Sequence, residues 1–409
     1  MGDPGEGRGP LGPNAPPPSG GWKPRGSLPG RPRSILVVMM SAVGDAIQVL
    51  PVVNALRRTF PETHITWVLQ PGPHSLVLGH RAVDEFVLFR RVRGSGRKDG
   101  PGWGAAAAFS ETLARLREVA AALPDGRFDL LLALQVYFKA GLITALTPAR
   151  VKLGFDRARA RDLNWLFTTH RIPPNPSGAA HIQDQYFEFL RHMGVDPEPL
   201  EYGLETSAQE RESRRRFFEG LDRPACAVIL ATSDPRKNWS SRGYAQVLEG
   251  LREDFGLQPV LVGGVSPTET SMARAIPARL REKVVDARQN DLRRLLWLLE
   301  GSTLVISPDT GPLHMARALE VPVVGLFGFT NPKRSGPYRL FQELVVDGYA
   351  RFPGEAYGVS TERRPGGMDR ITATMVLEKV DLALRPPPPP SPAPGWPPEG
   401  PPGTSPPRR

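Results

Sequence analysis

The chain has 409 residues, of which 40% are hydrophobic and 23% charged, and this composition is ordinary for a folded protein of two or three domains. Its net charge is +10, to which residues 1–33 contribute +3 and residues 385–409 contribute +2, so +5 remains for the part between them. This mild basic excess suits an anionic substrate or a phospholipid surface. We expect no nucleic-acid partner, because no pattern of basic and aromatic residues indicates nucleic-acid binding.

The compartment is indicated by the cysteine content and by the lack of long apolar runs. The single cysteine, Cys226, excludes a disulfide framework and fits a reducing environment. We find no signal-peptide pattern and no run of the roughly 20 apolar residues that a membrane span requires. We therefore expect a cytoplasmic protein that is soluble or peripheral at a membrane.

In the first half of the chain, short apolar runs alternate with amphipathic segments. A helix is predicted over Asp45–Phe60, where apolar residues recur at helical spacing. Strands are predicted over Ser34–Met40, His64–Leu69, Glu85–Phe89 and Phe128–Leu134. This βαβ series predicts a mostly parallel sheet with helices on both faces.

The alternation of short apolar runs and amphipathic segments stops over residues 148–180, which are rich in Arg, Asn and Pro and carry no predicted strand. A second series follows two helices, at His181–Met193 and Ser207–Gly220. Its strands are predicted over Ala225–Leu230, Pro259–Val262, Val284–Asp286, Leu304–Ser307 and Val321–Phe327, and a last helix over Thr372–Leu384. We therefore predict an α/β protein with two Rossmann-like, doubly wound domains facing across a cleft. Their limits are residues 34–206 and 207–384, flanked by disordered tails at 1–33 and 385–409.

Three loops directly after predicted strands carry candidate site residues, as expected for parallel sheets that bind ligands at the carboxyl ends of their strands. In the first loop, Gly44 allows a tight turn and Asp45 begins a helix, where it is either a plain cap or a functional carboxylate. The second loop places Thr232, Ser233 and Lys237 together, which either hold a diphosphate or form a solvated loop.

The third loop runs from Ser307 to His314 and leads into a helix. The free N–H groups of that helix N-terminus are a natural phosphate site, while His314 could equally be an ordinary polar residue of the first turn. A G-x-G-x-x-G motif after the first strand is missing, which disfavours a Rossmann oxidoreductase. No H-E-x-x-H, C-x-x-C or aspartate-rich cluster indicates a metal, so we predict neither metal nor cofactor.

Five segments in this order carry a family resemblance: SAVGDAIQVLPVVNALRRTFP, ATSDPRKNW, VLVGG, SPDTGPLHMARALEVPVVGLFG and TNPKRSGPY. Over roughly residues 34–345 the chain resembles the family-nine glycosyltransferases, the lipopolysaccharide heptosyltransferases, which have the GT-B fold. The resemblance implies an inverting, metal-independent transfer of heptose from ADP-heptose to an anionic glycolipid acceptor, the lipid A–core oligosaccharide. It also implies a protein at the cytoplasmic face of the inner membrane.

The resemblance also implies roles for particular residues. Asp45 matches the catalytic base, with Gly44 beside it on the acceptor side. The donor contacts that match are Thr232, Ser233, Lys237, Asp309, Thr310, Gly311 and His314, and Glu269 falls near a ribose-binding acid. From their charge, we add as candidate contacts to an anionic acceptor Arg57, Arg58, Arg157, Arg159 and Arg161, although surface arginines are commonly just solvated.

The sequence departs from the family pattern at Gln48, where the family has His, and at Phe329 and Asn331, which replace Pro and Asp. These departures bear on the exact sugar and acceptor, so the chain could use another nucleotide sugar and glycan acceptor. A second alternative is a protein that binds a nucleotide sugar without turnover, but the presence of Asp45 argues against it.

Overall fold

The chain folds around two six-stranded parallel sheets, one in each half, in a computed structural model that describes residues 30–90, 103–173, 175 and 178–385. The first sheet contains β1 (Ser34–Val38), β2 (His64–Leu69), β3 (Glu85–Leu88), β4 (Phe128–Ala133), β5 (Ala149–Phe155) and β6 (His170–Ile172). The second contains β7 (Ala225–Ile229), β8 (Gln258–Val262), β9 (Val285–Asp286), β10 (Leu304–Pro308), β11 (Val323–Phe327) and β12 (Val345–Asp347). The predicted α/β class is confirmed.

Helices connect the strands in both halves. Those of the first half are α1 (Val43–Thr59), α2 (Pro71–Val77), α3 (Trp103–Ala122), α4 (Phe138–Leu146) and α5 (Ile182–His192). Those of the second half are α6 (Ala208–Glu219), α7 (Ser241–Glu253), α8 (Pro267–Ala275), α9 (Ala278–Arg281), α10 (Leu292–Glu300), α11 (Gly311–Ala318), α12 (Pro332–Ser335) and α13 (Ala373–Leu384). Short 3-10 turns occur at Asn164–Phe167, Pro235–Lys237, Gln342–Leu344 and Met368–Arg370. Among the described residues, no helix has the length and apolar character needed to cross a membrane.

Both sheets have the same strand order, and this order places the site. The first sheet runs β3-β2-β1-β4-β5-β6 and the second β9-β8-β7-β10-β11-β12, each with a Rossmann-type reversal between its first and fourth strands. The chain leaves β1 and β4, or β7 and β10, toward opposite faces of the sheet, which opens a crevice at the carboxyl ends of those strands. The two crevices provide the binding positions of the fold.

The central strands are mainly apolar because helices cover both faces of each sheet. In β1, Ile35 and Val37 point into one core while Leu36 and Val38 point into another, and all four are fully buried. The first of these cores also contains apolar residues of α11, such as Leu313. The two halves therefore share an apolar core where α1 meets α11.

The structure corrects the prediction for residues 148–180, which contain β5 and β6. Strand β5 alternates apolar Val151, Leu153 and Phe155 with polar or small residues, which is the sequence pattern of a half-buried strand. The pattern is easily overlooked because it lies inside an arginine-rich stretch. The sequence also missed α2, α4 and β12, all short elements.

The predicted tails fall almost wholly outside the described residues, and their disorder stays a prediction. Within residues 30–33, Arg33 is held by Asp129, whose carboxylate accepts the Arg33 backbone N–H at 2.7 Å. The folded part therefore begins slightly before residue 34. The domain limit at 206/207 also stays a prediction: Ser207 caps α6, and Glu210 of α6 binds Arg293 of α10.

Candidate active site

The crevices of the two sheets face each other and enclose a cleft of about 620 Å³ between the halves. Loops after β1 and β4 line one side, and loops after β7 and β10 line the other. Residues predicted from the sequence that line it are Gly44, Asp45, Arg159, Arg161, Thr232, Ser233, Lys237, Asp309, Thr310, Gly311 and His314. Candidates from both halves thus meet around one cavity, and the most distant of them, Gly44 and His314, are 270 positions apart in the chain.

Asp45 lies in the first turn of α1 and lines the cleft, and its two carboxylate oxygens have different partners. Its Oδ2 accepts the Ala42 backbone N–H at 2.9 Å, so Asp45 does help to cap the helix. Its Oδ1 lies 3.5 Å from the Tyr186 hydroxyl of α5. Burial raises the pKa of Asp45, and the Ala42 N–H and the Arg334 charge only partly offset it. The capping role therefore coexists with a carboxylate of raised basicity.

Lys237 and Asp309 form a largely buried ion pair in the second half. The Lys237 ammonium donates to Asp309 Oδ2 at 2.8 Å and to the Asp309 carbonyl at 3.2 Å, and the Thr330 hydroxyl donates to the same Oδ2 at 2.6 Å. Burial alone would raise the pKa of Asp309, but the Lys237 charge and the hydrogen bonds from Lys237 and Thr330 bring it below the ordinary value. Asp309 thus stays ionised and fixes Lys237 at the cleft.

His314 is buried in the first turn of α11 and is neutral at physiological pH. Burial lowers its pKa to about 4, with the nearby His181 and Lys237 acting in the same direction and Asp309 against it. Gln48 Nε2 contacts both ring nitrogens of His314 at 3.3 Å, across the junction of the two halves. Gln48 Oε1 is buried without a hydrogen-bond partner among the described residues.

The loop after β7 is internally organised rather than freely solvated. The Thr232 backbone N–H donates to Asn238 Oδ1 at 2.7 Å, and the Thr232 hydroxyl donates to the Asp234 carbonyl at 2.8 Å. Ser233 is exposed at the cleft. This turn presents Ser233 and Lys237 to the same cavity.

The predicted acceptor arginines separate into two groups. Arg161 faces the cleft, and Arg159 lines it while binding Asp156 and Glu188. The structure does not bring Arg57, Arg58 and Arg157 to the cleft lining. The first two lie in the last turn of α1, where Arg57 binds Asp84 and backbone carbonyls and Arg58 binds the carbonyl of Glu198.

Glu269 is also placed apart from the cleft lining. It caps α8: its carboxylate accepts the backbone N–H groups of Gly264 at 2.8 Å and Ser266 at 3.0 Å. These bonds account for both carboxylate oxygens, and a ribose contact by Glu269 stays a prediction.

The cleft lining also contains residues that were not predicted from the sequence, among them Arg334 of α12 and Tyr186 of α5. The Arg334 guanidinium makes no ion pair with any described residue, and its Nε is buried without a partner. Burial lowers the pKa of Arg334, which lies within electrostatic range of Tyr186, Asp45 and Asp309. Arg334 lies in the segment TNPKRSGPY, which carries part of the family resemblance, but no periodic pattern in that segment identifies this side chain as a site residue.

The fold and the cleft together describe a class of enzyme: two Rossmann-like halves with a buried carboxylate on one side of the cleft and a lysine-bearing loop on the other, which is compatible with a glycosyltransferase. The family model of glycosyltransferase family 9 (heptosyltransferase) matches residues 116–351. The chain belongs to this family, which confirms the resemblance found in its sequence. Lipopolysaccharide core heptosyltransferase OpsX of Haemophilus influenzae is 26% identical over 317 residues, covering 77% of this chain and 84% of that protein.

Solved structures show the same fold. The family 9 glycosyltransferase of Veillonella parvula superposes with a TM-score of 0.68 at 21% identity, covering 86% of this chain and 97% of the other. The E. coli heptosyltransferase WaaC with ADP superposes with a TM-score of 0.61 at 23% identity, covering 86% and 99%. The predicted GT-B fold is confirmed.

Proposed function

We propose that this glycosyltransferase moves heptose from ADP-heptose to the lipid A–core oligosaccharide of lipopolysaccharide, with inversion and without a metal ion. The observation that carries the proposal is the placement of Asp45 from one half and the Lys237–Asp309 pair from the other around one cleft. The name of OpsX, a lipopolysaccharide core heptosyltransferase, and the ADP held by the WaaC structure support the sugar and the nucleotide.

Asp45 is the base in this proposal. Its carboxylate takes the proton of the acceptor hydroxyl while that oxygen bonds to the anomeric carbon. The bond from this carbon to the diphosphate oxygen breaks, and ADP leaves with the electron pair. Attack from the side opposite the leaving group inverts the anomeric carbon. The raised pKa of Asp45 suits this role, because a base is most effective when its pKa approaches the working pH.

The leaving diphosphate is stabilised by groups of the second half. Lys237 is held at the cleft by Asp309, and Arg334 offers a planar guanidinium that can bind phosphate oxygens in pairs. The N–H groups at the start of α11 add a partial positive charge. His314, being neutral, supplies a hydrogen bond without adding charge. These groups provide the stabilisation for which other transferases use a divalent cation.

The acceptor is an anionic glycolipid, which places the protein at the cytoplasmic face of the inner membrane. Arg161 is exposed at the cleft and makes no ion pair among the described residues, so it is free to meet an acceptor phosphate or carboxylate. Arg159 supports that loop through Asp156 and Glu188. Nucleic acid is not a partner in this proposal.

A family member with a different donor sugar is the second candidate, and Gln48 favours it. Gln48 replaces a family histidine and contacts His314 at the junction of the halves, so the cleft differs there from the heptosyltransferase pattern.

The test is acceptor-dependent nucleotide release by the full chain. Purified protein is supplied with ADP-heptose or ADP-glucose, with and without lipid A–core acceptor and with excess EDTA. We expect ADP release from ADP-heptose only when acceptor is present, unchanged by EDTA. Thermal shifts supply the binding control, since a ligand at 100 times its Kd adds about 2.7 kcal/mol of stability. Binding without turnover would indicate a non-catalytic protein, and a requirement for Mg²⁺ would contradict the proposed leaving-group stabilisation.

A further inference from the structure

An exposed apolar surface lies beside the cleft on the first half. It consists of large apolar side chains between 42% and 58% exposed, which we name the α4 patch: Tyr137, Phe138, Leu146, Leu163 and Leu166. Apolar side chains exposed singly are ordinary, but a cluster of them marks an interaction site.

Contacts join the two segments of the α4 patch into one surface. The Phe138 ring at the start of α4 meets the Phe167 ring edge-on, with 5.7 Å between centroids. Asn164 Nδ2 donates to the Tyr137 carbonyl at 3.0 Å. Gly141 permits this close packing, because a Cβ there would lie 2.4 Å from Phe167 Cδ2. The 163–166 turn is therefore fixed against α4 and continues its exposed face.

The backbone of that turn holds Leu163 outward at a cost. Asp162 and Leu163 both have left-handed φ values, 49° and 60°, which disfavour residues with a side chain. Leu163 is nevertheless 58% exposed, so burial inside this chain does not compensate for the conformation. A strained, fixed and exposed leucine indicates contact with something outside the chain.

Positive charge surrounds the α4 patch. The guanidinium groups of Arg157 and Arg171 both stack on the Trp165 ring, at 5.2 and 5.0 Å from its centroid. Lys139 and Arg161 are exposed nearby, and none of these four cations makes an ion pair with a described residue. Asp162 is the acidic residue within the turn. Aromatic and aliphatic side chains bordered by arginines and lysine match the interface of an anionic bilayer, with its apolar interior and charged headgroups.

We propose that the α4 patch docks the protein on anionic phospholipid bilayers. The inference rests on the proposed function for its purpose: Tyr137 and Arg161 belong both to this region and to the cleft lining, so docking holds the cleft mouth at the surface in which a glycolipid acceptor is embedded. The apolar side chains enter the headgroup region, and the cations face lipid phosphates.

The test is sedimentation of the full chain with vesicles of phosphatidylcholine, alone or mixed with phosphatidylglycerol, with no donor or acceptor present. We expect binding to the anionic vesicles, reduced at least roughly tenfold in the double variant Leu163→Asn, Leu166→Ser. Asn tolerates the left-handed backbone, so this variant should unfold at an unchanged or higher temperature. The matched control is Leu78→Asn, Phe352→Ser, which removes side chains of 66% and 62% exposure elsewhere and should bind like the original.

Three outcomes overturn the docking proposal. The first is that the wild-type protein does not sediment with anionic vesicles. The second is that the patch and control variants sediment equally. The third is that the wild-type protein dimerises without vesicles and the patch variant does not, which would make a second copy of the chain the occupant of the α4 patch. Because the assay contains no substrates, each leaves the transfer reaction intact. Conversely, vesicle binding without ADP release on detergent-solubilised acceptor would contradict the proposed function alone.

Discussion

Gly44 of α1 lies so close to His314 of α11 that a Cβ at Gly44 would stand 2.9 Å from His314 Cδ2. Gly311 is reciprocally close, since a Cβ there would lie 3.2 Å from Val43 Cβ. The first turns of two helices, one from each half, thus meet through glycine. This contact brings Asp45 and the α11 N-terminus to a single cavity, and an added Cβ would crowd it at either position.

Gly44→Ala should therefore disturb the site without unfolding the chain. The added methyl must push the His314 ring, which Gln48 and its buried surroundings hold, at a cost of about 1–3 kcal/mol for overpacking. We expect a turnover at least roughly tenfold lower and a lower melting temperature. The control is Gly72→Ala in α2, where nothing lies within 4 Å of an added Cβ. A fully active Gly44→Ala enzyme would show that the contact is dispensable.

Asp45→Asn separates catalysis from capping. The asparagine carbonyl can still accept the Ala42 N–H, so helix α1 should persist, while the proton acceptor is lost. We expect kcat to fall roughly 10²–10⁴-fold with donor affinity almost unchanged. Calorimetry gives the affinity, and ADP release gives the rate. If the Asp45→Asn enzyme kept its activity, Asp45 would be a helix cap and not the catalytic base.

The same substitution should show a pH-dependent gain in stability. Because burial raises the pKa of Asp45, the folded state holds its proton more strongly than the unfolded state, and this group's contribution falls as pH rises through the folded pKa. Asp45→Asn should therefore unfold at an equal or higher temperature than the original at neutral pH, with the difference shrinking below the ordinary aspartate range. Melting curves of both proteins across this pH range measure the difference. An Asp45→Asn protein that melts below the original at neutral pH would show that the ionised carboxylate stabilises the fold, against the prediction.

Lys237→Ala should weaken donor binding but also leave Asp309 buried without its cation. Removing one partner of a buried pair destabilises by about 3–5 kcal/mol, less here because Lys237 is partly exposed. Separately from this loss of folding stability, losing a charge contact to the diphosphate should weaken donor binding by about 1.5–3 kcal/mol. Lys237→Ala combined with Asp309→Asn should recover stability but not affinity. Unaltered donor affinity in both variants would remove the phosphate role of Lys237.

The sequence predicted the parts of the site that depend on local order. Asp45, Lys237 and His314 follow buried strands, and parallel sheets bring such loops to one edge. The position of Arg57 outside the cleft lining follows from helix length: at about 1.5 Å per residue, the 12 positions from Asp45 to Arg57 carry it about 18 Å along α1, away from the cleft. An acceptor contact by Arg57 stays a prediction that rests on its charge alone.

Arg334 could not be predicted in this way, because its position depends on tertiary contacts. Helix α12 spans only Pro332–Ser335, too short for a periodic signal. The segment is fixed by distant partners: His181 Nε2 donates to the Gly336 carbonyl at 3.0 Å, and the Tyr338 hydroxyl donates to Asp184 at 2.6 Å. These contacts with α5 direct the loop to the cleft, and they join residues about 155 positions apart.

Arg334 should act on both the leaving group and the base, and a pair of variants separates the two effects. Arg334→Met removes the charge that lowers the pKa of Asp45, so the acid limb of the kcat/KM profile should move to higher pH, and the plateau should fall roughly 10²-fold. Arg334→Lys keeps the charge but loses the planar pair of donors, so the limb should stay in place while the plateau still falls.

The control for Arg334 is Lys333→Met on the same short helix. The Lys333 side chain is exposed, and its ammonium donates to the Tyr357 carbonyl at 2.6 Å. The substitution removes an equal charge one residue away and should leave the acid limb and the plateau near their original values. If Lys333→Met and Arg334→Met change the pH profile equally, the effect is general electrostatics rather than a contact in the cleft. If neither changes it, Asp45 and the diphosphate do not depend on Arg334, and Lys237 with the α11 N-terminus carries the leaving group alone.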